Sequence, residues 1–380
     1  RQESSWLYCV ALHRLDGLVG PEGLVLLKTG MVLATFTILC IFARWKRHPI
    51  LIGGVVALAL VASSHRFALR PETVSYLLFA ITLVVIDRAR RGRTGALFTL
   101  PVMAIVWVNV HSYFPLLLGA LGILVLHGVA RWIASRERPA EVIPASISLV
   151  GSGAACAVNP YGLSFLRIPL HQLAFSLNMT TSSTLALLVG SGVVALGVLV
   201  AWETGVWSRR RVSAPLAMVA LGMVAWGWTH EPTRAMVSGL WSPGSSLRLS
   251  ELVPPLAIRR PYAALDAYKV LIVVVLVVGV LARRRLDVVW TALLGAMLAL
   301  SLVSVKHLEL FSMVAVTFVG THVKDSRLAT RVESSWAGPI LASIVAGYCL
   351  FATRQLVTDR HWINQGDTNQ FGLGFAHDVF

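Results

Sequence analysis

Twelve apolar stretches, at roughly 22–43, 49–64, 73–86, 95–110, 115–130, 142–158, 184–203, 214–229, 268–282, 288–305, 309–323 and 337–353, are separated by loops that are basic on every second occasion. A backbone in lipid satisfies its N–H and C=O groups within its own segment, so stretches of this kind are helices rather than isolated strands. Several are shorter than the ~20 residues that cross a bilayer core upright, and flanking residues lengthen them. The basic loops carry Arg44, Lys46 and Arg47; Arg88, Arg90, Arg91 and Arg93; Arg131, Arg136 and Arg138; Arg209, Arg210 and Arg211; Arg283, Arg284 and Arg285; and Lys324, Arg327 and Arg331. They hold 19 of the 33 lysines and arginines, and the positive-inside rule assigns them to the cytoplasm. The N-terminus, the 230–267 loop and the C-terminal tail are then outside. The expectation is an all-α, polytopic bundle of about 12 spans.

Composition narrows the class further. The chain is 56% hydrophobic and 13% charged, with a mean hydropathy of +0.72, whereas soluble domains carry about 25% charged residues. The net charge of +15 is mostly topogenic. A nucleic-acid partner would need that charge gathered on a soluble face with motif support, and neither is present in the sequence. Cys9, Cys40, Cys156 and Cys349 form no CxxC pair, so neither a disulfide framework nor a metal site is indicated. Residues 1–353 read as the helical domain, and 354–380 as a polar outer tail that opens onto a soluble domain. The hydrophobic run beginning soon after an outer segment leads us to expect one more helix and part of an outer loop ahead of Arg1.

On the outer side, polar residues collect at the ends of the spans: Gln2 and Glu3; Arg70, Pro71 and Glu72; Asn109 and His111; Asn159, Pro160, Tyr161 and Gly162; Glu251 ahead of Pro254 and Pro255; and Lys306 with His307. Ionisable residues at a membrane edge are costly and usually pair with one another or face an aqueous cavity, so a shared outer cavity is expected. Each group also has a structural reading. Pro71 and Glu72 suit a helix start, leaving Arg70 as a fork for phosphate. His111 fits a packed polar residue as well as a base. Asn159 to Gly162 has the composition of a turn. Lys306 fits a snorkelling cation.

As an ordered set, Arg-Pro at the start of a span, Trp107-x-Asn109-x-His111 ending the next, Asn159-Pro160-Tyr161-Gly162, a downstream Glu251 before prolines, and the Lys306-His307 pair resemble bacterial integral-membrane glycosyltransferases of the GT-C type, distantly similar to protein mannosyltransferases. The resemblance implies a multi-pass inner-membrane protein acting at the periplasmic face, with a polyprenyl-phosphate-linked sugar as donor. It implies Glu3 and His111 as catalytic groups, and Arg70, Asn109, Asn159, Tyr161, Glu251, Lys306 and His307 as substrate-binding ones. A divalent metal such as Mg²⁺ is the cofactor it allows, although no residue is assigned as a ligand. Ser112 and Tyr113 stand where glycines are usual, and Leu252 where Trp is usual. These departures keep open a second reading, a non-catalytic GT-C-like structural subunit partnered by other membrane proteins. A transporter ranks third, because no internal repeat and no midplane polar site is evident.

Overall fold

The computed structural model describes residues 5–176 and 263–336, apart from 284 and 325, together with residue 198 and scattered positions between 338 and 354. Among the described residues the chain is helical, with no strand. The helices are α1 (Trp6–Phe42), α2 (Pro49–Ser63), α3 (Glu72–Arg90), α4 (Leu100–Val110), α5 (Pro115–Ser135), α6 (Val142–Ala155), α7 (Arg167–Ser176), α8 (Ala263–Leu281), α9 (Val288–Val303) and α10 (Leu308–Val323), followed by a short helix over Arg327–Ser334. Every expected stretch from 22–43 to 142–158, and from 268–282 to 309–323, coincides with a helix. The stretches 184–203 and 214–229 lie outside the described residues, and 337–353 is described only in part. Among the described residues, four helical stretches are long and apolar enough to cross a bilayer: Trp6–Phe42, Pro49–Arg66, Pro115–Ser135 and Ala263–Leu281.

Local sequence explains the helix boundaries. α1 is divided at Gly20, whose φ of 67° is open to a residue without Cβ, and Pro21 then starts a second helical segment with a preset φ. The segment Trp6–Val19 extends the helix well ahead of the apolar run. Neither Gly nor Pro occurs between Trp6 and Asp16 to stop it. α3 begins with Glu72 and ends with Arg88 and Arg90, each complementing the nearby helix pole.

The chain divides into two compact units. One comprises Arg1–Ser4 and Val85–Ile258, and the other Ser5–Val84 and Arg259–Phe380. In the first, α6 packs on α4 and α5. A Cβ on Gly128 would meet Val142 Cγ2 at 2.5 Å, so α5 and α6 approach through that glycine. Ser148 ties α6 to the Leu97 carbonyl at 2.8 Å. In the second unit α10 is central, with every residue from Leu308 to Gly320 buried, and it is packed by α1, α2, α8 and α9. A helix apolar on all sides needs such a surround. Its end reaches α1 through Gly320, where a Cβ would lie 2.5 Å from Ala43. Tyr268 of α8 bonds Ser301 of α9 at 2.8 Å and meets Phe311 of α10 edge-on, locking the helices in register.

Candidate functional site

In the second unit, two short 3₁₀ turns continue the spans at one end. Ser64–Arg66 follows α2, and Val305–His307 connects α9 to α10. His65 joins them: its Nε2 lies 3.2 Å from the Val305 carbonyl and 3.3 Å from Glu309 Oε1. A carbonyl only accepts, so Nε2 carries a hydrogen. Glu309 is 0% exposed and sits in the first turn of α10, where the helix pole favours its charge. Beside this pair, Arg66, 4% exposed, donates to Glu72 Oε1 at 2.6 Å. Tyr8 of α1 lies within electrostatic reach of Glu72.

Lys306 and His307 complete the cluster. The Lys306 N–H is held by Ser304 Oγ at 3.4 Å, which fixes the turn. His307 Nδ1 is shielded from solvent. Burial, with the Lys306 and Arg66 cations nearby, pushes His307 down to about 3, so it is neutral at physiological pH. Arg70 is half-buried between the Arg66 turn and α3. Before either histidine is counted, Arg66 and Lys306 balance Glu72 and Glu309, and Arg70, four residues along the chain from Arg66, adds a further cation to this end of the unit.

The first unit gathers polar residues of a different kind. His111 is the extended C-cap of α4, buried, with its ring 4.3 Å from that of Tyr113. Asn109 donates to the carbonyls of Ile105 at 2.7 Å and Val158 at 2.8 Å. Asn159 donates to Cys156 and Gly162 carbonyls and accepts from the Tyr161 N–H at 2.8 Å, closing the turn that its composition predicts. Tyr161 stacks on Phe165, which stacks in turn on Phe114. Ser112 reaches Gln172 of α7 at 3.3 Å.

The residues expected to share one outer cavity fall in two units. Arg70, Lys306 and His307 stand in one unit, and Asn109, His111, Asn159 and Tyr161 in the other. Glu3 and Glu251 lie outside the described residues. Sequence reasoning missed His65, Arg66 and Glu309. The available signals were a His-Arg pair leaving a span on the Lys306-His307 side, and a carboxylate opening an apolar run. Among the described residues no group of three or more His, Cys, Asp or Glu is gathered for a metal. Glu72 and Glu309 are each engaged by a basic side chain, so this donor set does not fit Mg²⁺.

The chain matches no protein-family model, no curated protein and no solved structure.

Proposed function

We propose that this chain is a membrane-embedded transferase of the GT-C type, taking a sugar from a polyprenyl-phosphate carrier at the outer face. The carrying observation is the cluster of Arg66, Lys306, His307, Glu72 and Glu309 at one end of apolar helices, with Arg70 four residues along the chain from Arg66. Glu72 holds Arg66 in place, and the half-buried Arg70 and Lys306 are the cations to which this reading assigns the phosphate. In the transfer, the acceptor hydroxyl oxygen bonds the anomeric carbon as the bond from that carbon to the phosphate oxygen breaks. The electron pair leaves on the polyprenyl phosphate. Fixed cations stabilise the charge that develops there, and an arginine can bind two of its oxygens at once. The hydroxyl proton passes to a carboxylate. Glu3 is the sequence candidate for that base.

Replacing Arg70 by Lys tests this reading. It keeps the charge and removes the planar fork, so turnover from a polyprenyl-phosphate sugar falls by about tenfold or more while thermal unfolding changes little. The second reading, a non-catalytic subunit, is favoured by one feature: Arg66–Glu72 and His65–Glu309 already pair internally. Full-length protein that binds no polyprenyl phosphate and copurifies stoichiometrically with other membrane proteins would establish that reading instead.

A further inference from the structure

A second polar site lies at the opposite ends of the same helices, where the proposed transfer chemistry has no use for it. α8 ends at Leu281, α9 begins after Asp287, and α10 ends at Val323. Between them opens a cavity of about 1020 Å³ whose polar lining includes Arg283, Arg285, Asp287, His322, Lys324 and Ser326. It lies wholly within the second unit and has room for a substantial ligand headgroup.

Two of the polar walls are already committed. The Asp287 N–H donates to His322 Nε2 at 2.9 Å, and His322 Nδ1 lies 2.8 Å from the Phe318 carbonyl. An Nε2 that accepts and an Nδ1 that donates define a neutral imidazole, so His322 is wall rather than charge. Asp287 Oδ1 accepts the Trp290 N–H at 3.2 Å as the N-cap of α9. Arg283, Arg285 and Lys324 therefore outweigh the single lining carboxylate. Ser326 adds a hydroxyl at the start of the following helix, where its Oγ accepts from the Ala329 N–H.

The cavity also has an apolar exit. Val280 and Leu281 line it and are 60% and 62% exposed. Val273, Leu276 and Val277 continue that exposed strip along α8, on a helix long and apolar enough to cross a bilayer. Topogenic charge accounts for basic residues in a loop. It does not account for their placement around a cavity that opens onto an apolar helix face.

We infer that this cavity binds the phosphodiester headgroup of an anionic glycerophospholipid from the leaflet on the basic side, with the acyl chains lying along α8. Arginine forks and a lysine point charge recognise the phosphate, and the exposed valines and leucines take the chains. A free phosphate has the same head chemistry but no use for the strip. The inference does not rest on the transferase reading.

The test uses full-length protein reconstituted in phosphatidylcholine nanodiscs and doped with phosphatidylglycerol of matched chains. Thermal unfolding and native mass spectrometry are the readouts. Phosphatidylglycerol should raise the unfolding midpoint and stay bound as a discrete adduct, whereas extra phosphatidylcholine or inorganic phosphate should do neither. The double variant R283Q/R285Q should weaken the effect by about tenfold or more. K324Q alone, which leaves the arginine run of that loop intact, should weaken it less. The charge-matched pair R131Q/R138Q, on a different basic loop, should leave it unchanged. An equal shift from inorganic phosphate would show a free-anion site and overturn the lipid assignment. Equal losses from R283Q/R285Q and R131Q/R138Q would reduce the effect to general surface charge and overturn it as well.

Discussion

Polar residues at the span ends of the two units are held in opposite ways. In the first unit Asn109 and Asn159 spend their amides on backbone groups, and Tyr161 stacks on Phe165. In the second, ionisable side chains meet one another: Arg66 with Glu72, and His65 with Glu309. An amide bonded to a carbonyl builds a turn at modest cost. A buried carboxylate or guanidinium is tolerated only with a partner, and such groups persist most often where a ligand or reaction uses them. The difference is why the proposed phosphate chemistry is placed on the second unit.

The largest test of this contrast is removal of one ion-pair partner. Glu72→Ala strips the nearly inaccessible Arg66 of its 2.6 Å acceptor, and destabilisation of about 3–5 kcal/mol is expected in thermal or denaturant unfolding. A loss no greater than that of Asn159→Ala would erase the distinction between the units. Asn159→Ala should itself cost about 1–3 kcal/mol, because two carbonyls and one N–H lose their partner. It should leave phosphate-lipid binding by the second unit untouched, which a binding titration on the variant can check.

Acid offers a third comparison. His307 is held neutral in the fold and has an ordinary affinity for protons when unfolded. Above about 6.5 both states are neutral and the group contributes no slope. As pH falls from 6.5 toward 3 the unfolded state binds the proton first, so stability declines by up to about 1.4 kcal/mol per unit. His307→Asn should flatten that part of the stability profile, and an unchanged slope would place the acid sensitivity elsewhere. The smallest effect is expected at Arg91, paired with Asp87 one helical turn away and 45% exposed. Arg91→Ala should shift stability by no more than about 0.5 kcal/mol, marking the level of a surface pair against the buried ones.

Much of the scaffold was legible in the chain. Apolar runs bounded by Pro71 and the basic loops placed the helices, because backbone satisfaction in an apolar run is a local matter. The turn at Asn159 was legible for the same reason: its hydrogen bonds reach no further than three residues. Arg70, Lys306 and His307 were also legible as ionisable groups at span ends. His65 and Glu309 were not, since each resembles an ordinary helix-end residue until the other is placed beside it.

The sequence by itself determined where helices form among the described residues, which loops carry the basic residues, and which residues cap and turn the chain, since all of these are set within a few residues. Only the tertiary structure decided that His65 meets Val305 and Glu309, and that Arg283, Arg285 and Lys324 surround one cavity. Those meetings depend on how α2, α8, α9 and α10 pack, and packing is settled by side chains far apart in the sequence filling one interior together.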